Sequence, residues 1–146
     1  MSAITIERAV SDDLPQVLDL LGRQFLPLDG LADHAATTVV ARQDGRVVGS
    51  AAIELYEDGG LLRSVAVDDH LKGQGLGRAL TERAIELARD AGLDTLYLLT
   101  TTAEGYFPKL GFEPATRDEV PAGVRSSVEF TSACPASAVV MRKRLS

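Results

Sequence analysis

The sequence predicts an α+β fold in which helices flank a central, twisted, mixed sheet of six to seven strands. Three features lead to this prediction: an opening strand and helix, three β-rich runs in succession, and then a strand, an amphipathic helix and a second strand. A chain of 146 residues can bury about 70% of its unfolded surface around one hydrophobic core. We therefore expect a single domain over residues 1–146.

A strand and a helix open the chain. Apolar and polar residues alternate over residues 4–9, which is typical of a half-buried strand. Ser11 is a good N-cap, and leucine and valine recur after it at helical spacing up to Gly22. Residues 25–34 show no clean periodicity, so we expect a mobile connection or a short helix of the kind that often lines substrate sites.

Three antiparallel strands follow as a meander. The β-rich runs 38–42 and 46–56 are joined by an Asp-Gly pair at 44–45, which is a strong hairpin signal. A second turn at 58–60 leads into the run 61–67. These runs predict the middle of the sheet.

An amphipathic helix then connects two strands. Leucine and alanine share one face of residues 76–91, charged side chains share the other, and Gly92 is suited to end the helix. Residues 95–100 form a nearly continuous apolar run, which is typical of a strand buried on both faces. We expect this strand to lie parallel to the preceding one, through a right-handed crossover.

The last third of the chain predicts a helix and two strands. Thr101 and Glu104 have the spacing of a capping box, and residues 112–115 and 138–145 read as extended segments. The polar stretch 117–137 between these strands is interpreted either as a lid over a substrate pocket or as a dimer contact.

Composition and charge exclude several classes of function. A formal net charge of −6 opposes binding to nucleic acid. No stretch approaches the roughly 20 apolar residues that span a bilayer, and no secretory signal is visible, so we expect a cytoplasmic protein without a membrane partner. Cys134 is the one cysteine, and with His34 and His70 it gives no metal-ligand spacing, so no metal site is expected.

The strongest local signal is a glycine-rich turn between the strand LLRSVAV and the amphipathic helix. Glycines at 73, 75 and 77 allow close backbone approach, and the first N–H groups of a helix attract an anion. A P-loop needs Gly-Lys followed by Ser or Thr, whereas here Lys72 comes first and Arg78 stands at the helix start. A dinucleotide fold would place such glycines after its first strand. The turn predicts a different phosphate or pyrophosphate site.

This region resembles the GNAT N-acetyltransferase family, whose acyl-CoA signature is Gln/Arg-x-x-Gly-x-Gly/Ala. The matching residues are Lys72, Gly73, Gln74, Gly75, Leu76 and Gly77, followed by Arg78. Lysine stands at the first position, where the family usually has arginine or glutamine. The resemblance implies the element order β-α-(α)-β-β-β-α-β-α-β-β and acetyl-CoA as the acyl donor.

The same resemblance implies positions for the rest of the donor. The pantetheine arm is expected to pair with the backbone of Val65, Ala66 and Val67, and the acetyl group to lie near Ser64. Thr101 and Phe107 are further candidates for cofactor binding. In the segment GYFPKLGF, the family's general-acid tyrosine falls on Phe107, so Tyr106 is the substitute candidate, and a catalytically silent acyl-CoA-binding module remains an alternative.

Charged residues near the predicted site are candidates for catalysis and for binding the acceptor. Glu54 is the first candidate for the general base, because it lies on the strand beside LLRSVAV. Arg63 and Arg117 could bind a substrate carboxylate with the planar guanidinium group. Strand alternation places Arg63 on the face opposite Ser64. Glu129, in the stretch 117–137, is the third candidate for substrate binding.

Longer stretches, including the tail EVPAGVRSSVEFTSACPASAVVM, resemble the arsenic-resistance N-acetyltransferases, a branch near the N-acetylglutamate synthases. This resemblance implies acetylation of the amino group of a small amino acid or an amino-acid-like compound, with an arsenic-containing or similar toxin as one candidate. Acetylation of glutamate in arginine synthesis is the alternative. The expected partners are a small-molecule amine and, as in many members of the family, a second copy of the chain.

Overall fold

The computed structural model describes residues 3–101, 105–133 and 137–145. The strands are β1 (Ile4–Arg8), β2 (Thr38–Gln43), β3 (Arg46–Tyr56), β4 (Gly59–Val67), β5 (Thr95–Thr100), β6 (Glu113–Ala115) and β7 (Val139–Arg144). The helices are α1 (Leu14–Arg23), α2 (Leu76–Asp90) and the short α3 (Ala122–Arg125). Turns of 3₁₀ helix cover Ser11–Asp13, Leu31–Thr37, Asp69–Leu71, Phe107–Leu110 and Arg117–Glu119, and a π-helical turn covers Glu129–Ala133.

The strands form a seven-stranded mixed sheet in the order β1-β2-β3-β4-β5-β7-β6. β1 to β4 pair antiparallel in chain order, and the pairing of β2, β3 and β4 confirms the predicted meander. β4 and β5 run parallel, which confirms the predicted crossover through α2. β7 lies between β5 and β6 and is antiparallel to both. The predicted fold class is therefore confirmed.

The two longer helices cover opposite faces of the sheet. Leu80 and Ala84 of α2 are buried in the core on one face. Gly49 of β3 lets α2 approach closely, because a Cβ at this position would lie 2.7 Å from the Leu80 side chain. On the other face, Leu20 and Leu21 of α1 are fully buried. The sheet is thus covered on both sides, and its remaining opening lies between strands.

Asp13, rather than the expected cap Ser11, fixes the start of α1. Its carboxylate accepts a hydrogen bond of 2.7 Å from the backbone N–H of Val10 and forms a two-pronged ion pair with Arg42 of β2. The hydrogen bond from Arg42 is the main reason that the pKa of Asp13 lies below its ordinary value. This partly buried pair connects the first helix to β2 of the sheet.

The helix predicted from Thr101 is described only at its end. Glu104 of the predicted capping box lies outside the described residues, as does Cys134. The described part is the 3₁₀ turn Phe107–Leu110, which ends at Gly111 with a φ of 95°.

The longest described helix is α2, with 15 residues. None of the described helices combines the length and the apolar character that crossing a bilayer requires. Within the described ranges, no three His, Cys, Asp or Glu side chains are grouped so that they could hold a metal ion.

Candidate active site

In the described sheet, β4 and β5 pair at one end and then separate. Their parallel register joins residues 60–61 of β4 to residues 96–97 of β5. The later residues of both strands, 62–67 and 98–100, line a cavity of about 1030 Å³. This cavity is the opening in the sheet, and it contains most of the predicted site residues.

The glycine-rich turn forms one part of the cavity wall. Gly73 and Gly75 adopt φ values of 81° and 83°, and a Cβ at either position would meet no atom within 4 Å. Open space therefore lies directly beside the turn. The N-cap residue of α2 is Gly75, which has no side chain, and the described residues show no side-chain cap there, so the first N–H groups of this helix can bind an anion.

Among the described residues, the cations of the turn form exposed ion pairs. Lys72 lies 3.1 Å from Asp69, and Arg78 lies 3.0 Å from Glu82. Exposed pairs of this kind contribute at most about 1 kcal/mol. Both cations can therefore turn toward an anion at little cost in free energy. Gln74, the other polar side chain of the turn, is exposed and is not among the described residues that line the cavity.

A bulge in β4 lies at the other part of the cavity. Arg63 pairs with Ala52 and Ala66 pairs with Ser50, so two residues of β4 oppose one residue of β3. Ser64, in the bulge, has a φ of 60°. The bulge brings Nε of Arg63 within 3.1 Å of the Ser64 hydroxyl, so the expected placement of these two side chains on opposite faces is wrong.

Arg63 is the centre of a buried cluster beside this bulge. Its side chain has no exposed area. Nη1 donates hydrogen bonds to Glu54 at 2.9 Å and to the Asp29 carbonyl at 2.7 Å, and Nη2 donates to the Pro27 carbonyl at 3.2 Å. Nε lies 3.2 Å from a carboxylate oxygen of Glu129. One arginine thus joins β3, the loop after α1 and the segment after α3.

Glu54 is buried and surrounded by hydrogen-bond donors. Tyr56 donates a hydrogen bond of 2.5 Å to one carboxylate oxygen, and Nε2 of His34 lies 3.7 Å from the same oxygen. Burial alone would raise the pKa of Glu54, but hydrogen bonds from Ser127, Tyr56 and Arg63 outweigh it and hold the pKa below its ordinary value. Burial, followed by the hydrogen bond to Glu54, raises the pKa of Tyr56 to about 12.

The lowered pKa of Glu54 predicts how acid affects the stability of the fold. Below the ordinary glutamate pKa of 4.5, the unfolded chain takes up a proton at residue 54 before the folded chain does. The stability that ionised Glu54 contributes at neutral pH is therefore lost as the pH falls through its folded pKa. Urea midpoints between pH 3 and pH 7 should show the difference between the wild type and Glu54→Gln shrinking toward acid; a difference that does not change with pH contradicts this.

The two carboxylates of the cluster differ in their access to the cavity. Glu129 lines the cavity, whereas Glu54 is not among the described lining residues and lies behind Arg63. The other carboxylate among the described lining residues is that of Asp69, beside the glycine-rich turn. A group that enters the cavity at the bulge therefore meets Glu129 before Glu54.

Tyr106 and Phe107 both line the cavity. Phe107 is buried, and its ring packs edge-on against Phe112 with 5.7 Å between the centroids. The Tyr106 hydroxyl lies 3.0 Å from the position that a Cβ at Gly77 would take, so it faces the start of α2. Burial raises the pKa of Tyr106, which keeps this hydroxyl protonated at neutral pH.

The remaining candidates separate into two groups. Thr101 and the range 65–67 line the cavity, together with Arg63, Ser64 and the glycine-rich turn. Arg117 is not among the described lining residues, and its guanidinium carbon lies 5.7 Å above the centroid of the Phe130 ring.

Sequence reasoning missed several members of the Arg63 cluster. Tyr56 lies two positions after Glu54 on the same strand, and Ser127 lies two positions before Glu129. Side chains two positions apart on a strand lie on the same face, so this pattern could have predicted that Tyr56 lies beside Glu54. His34 and Ser127 contact Glu54 from segments far apart in the chain, and no local sequence pattern predicts these contacts.

The fold and the cavity define a class of protein in which two parallel strands separate around an elongated opening, with a glycine-rich helix start on its wall. The family model of the Acetyltransferase (GNAT) family matches residues 6–112 of the chain. The chain belongs to this family.

Curated relatives are amino-acid acetyltransferases. One, from Mycobacterium tuberculosis, is 38% identical over 117 residues, which cover 73% of this chain and 67% of the relative. Another, from Neisseria meningitidis, is 29% identical over 127 residues, which cover 81% of this chain and 29% of the relative. The chain therefore spans less than a third of the length of the Neisseria relative.

Solved structures agree with this family. The N-acetylglutamate synthase of Neisseria gonorrhoeae, complexed with coenzyme A and N-acetyl-glutamate, has a TM-score of 0.84 and 26% identity, covering 100% of this chain and 36% of that one. A Mycobacterium tuberculosis protein in complex with CoA has a TM-score of 0.80 and 26% identity, covering 96% of this chain and 98% of that one.

Proposed function

We propose that this chain transfers the acetyl group of acetyl-CoA to the amino group of an amino acid. The observation that carries the proposal is one cavity that joins a glycine-rich, uncapped helix start to a buried arginine with two carboxylates. The first feature suits a phosphorylated acyl carrier, and the second suits an amine acceptor. The names of the curated relatives, and the CoA in two of the similar structures, support both parts.

The turn at 72–78 is proposed to hold the pyrophosphate of the acyl donor. Its left-handed glycines leave room for phosphate oxygens, and the N–H groups at the start of α2 point their dipoles toward them. The backbone of Val65–Val67 would then pair with the pantetheine arm as an added strand, with Thr101 and Phe107 on the other wall. This arrangement brings the thioester to Ser64.

We infer that Glu129 receives the amine and its proton. The amine nitrogen attacks the thioester carbonyl, the carbon–sulfur bond breaks so that coenzyme A leaves as its thiolate, and the proton on nitrogen passes to the carboxylate of Glu129. Glu129 lies on the cavity wall beside Ser64. Glu54, the base predicted from sequence, forms an ion pair with Arg63 and is not among the described residues that line the cavity. A backbone N–H of β4 would stabilise the oxyanion. The sequence-based roles of Glu54, Ser64 and Tyr106 stay predictions that kinetics must test.

Glutamate is the second candidate acceptor, because a similar structure is an N-acetylglutamate synthase. A glutamate acceptor needs a cation for its carboxylates. Arg63 already contacts two carboxylates and two backbone carbonyls, so the sequence-based roles of Arg63 and Arg117 in substrate binding also stay predictions. The arsenic-containing acceptor and the homodimer rest only on the sequence resemblance, and the cytoplasmic location stays a prediction from the sequence.

A direct assay tests the proposal. Purified protein with acetyl-CoA and a panel of L-amino acids, including glutamate, should release free thiol with at least one acceptor and form its N-acetyl product by mass. The ranking of kcat/KM across the panel identifies the acceptor class. Calorimetric binding of CoA without thiol release from any amine would instead favour the silent binding module. No binding of CoA would overturn the whole proposal.

A further inference from the structure

Phe25 is an aromatic residue in an unusual position at the end of α1. Its side chain is 95% exposed, and its backbone has a φ of 59°. A bulky residue in the left-handed region is an outlier that costs about 1–2 kcal/mol, and an exposed ring recovers none of that cost by burial. The surrounding contacts must therefore hold this conformation in the free protein.

Those contacts fix residues 24–29, the rim segment, against the cavity. The side chain of Gln24 donates a hydrogen bond to the backbone carbonyl of Val67, the last residue of β4. Arg63 holds the far end of the rim segment through the carbonyls of Pro27 and Asp29. Phe25 follows Gln24 directly and lines the cavity, so its ring stands at the rim close to the end of β4.

The donor's pantetheine arm must pass this point, if the proposed function holds. Its pyrophosphate would lie at the turn 72–78 and its thioester at Ser64, so the arm between them runs along Val67 and Val65. The part nearest the pyrophosphate is branched and apolar, and an exposed aromatic ring at the rim can cover it. We propose that Phe25 is a binding residue for the acyl donor and packs on this apolar part of the pantetheine arm. This inference rests on the proposed function and adds the residue that closes the cavity over the donor.

The substitution Phe25→Gly tests this inference because it should weaken binding of the acyl donor without lowering the stability of the fold. Glycine accepts the left-handed backbone without strain, so the Tm should stay the same or rise by up to about 4 °C. The Kd for CoA should rise about 5- to 10-fold, because the aromatic contact is lost. The Kd for ADP, which has the pyrophosphate but no pantetheine arm, should not change.

Asp44→Gly is the matched control. Asp44 also has a positive φ, of 55°, but it lies in the β2–β3 turn and is not among the described lining residues of the cavity. This variant should bind CoA and ADP as the wild type does. An unchanged Kd for CoA in Phe25→Gly, or an equal loss of affinity for CoA and ADP, overturns the inference. A wild type that binds neither ligand would instead refute the proposed function.

Discussion

Arg63→Met should destabilise the protein by about 3–5 kcal/mol, the usual cost of removing one partner from a buried ion pair. Without the guanidinium group, the carboxylates of Glu54 and Glu129 remain buried with no cation between them, and the carbonyls of the rim segment lose their donor. For a chain of this length the Tm should fall by about 6–20 °C at pH 7. Thermal melts followed by circular dichroism measure this directly.

The same variant should respond to acid in the opposite direction to the wild type. Removal of Arg63 takes away the cation between the two buried carboxylates, and repulsion between two buried like charges raises their folded pKa values above those of the unfolded chain. Protonation then favours the folded state, so acidification should recover part of the lost stability. Adding Glu54→Gln and Glu129→Gln to Arg63→Met should recover part of it at neutral pH, because no uncompensated charge remains.

Arg83→Met is the control for Arg63→Met. Arg83 of α2 is 47% exposed and lies 3.8 Å from Glu86, so its loss should cost less than about 1 kcal/mol. Equal stability of Arg63→Met and Arg83→Met would show that the buried cluster does not hold the loop after α1 and the segment after α3 together.

The parts of the fold that depend on local patterns could be predicted from the sequence. The Asp-Gly turn at 44–45 indeed has positive φ at both residues, and α2 begins and ends at left-handed glycines. The position of β7 between β5 and β6 could not be predicted, because strand pairing across the sheet depends on contacts distant in sequence. Local periodicity carries no information about which distant strand is the neighbour.

The part of the candidate site that lies in one continuous segment could be predicted, and the part that depends on distant contacts could not. The glycine-rich turn is one continuous segment, so its place on the cavity wall followed from the sequence. The bulge at Ser64 breaks the period of two, and simple alternation therefore misplaced Arg63 relative to its neighbour. Glu54 is a charged residue that sequence statistics would leave in solvent, and its burial depends on Arg63, Ser127 and His34, which lie on three other segments of the chain.

Glu129→Gln should lower kcat by about 100-fold or more, the usual range for loss of a general base. Glutamine has nearly the shape of glutamate and still offers an oxygen to Arg63, and Glu54 still neutralises the guanidinium group. The fold should therefore be retained. The Kd for CoA should not change, because the glycine-rich turn and β4 remain intact, and steady-state assays with the preferred amino acid give kcat and both KM values.

Glu54→Gln distinguishes the two carboxylates. If Glu54 only positions Arg63, this variant should lose less than about 10-fold in kcat, because Glu129 still faces the cavity and can accept the proton. The reverse order, a large loss in Glu54→Gln and a small one in Glu129→Gln, would assign the base to Glu54 and require water to connect it with the amine around Arg63. Comparable large losses of kcat in both variants, with normal melting temperatures, would mean that the proton transfer depends on the whole cluster. In that case the double variant should lose no more kcat than either single variant.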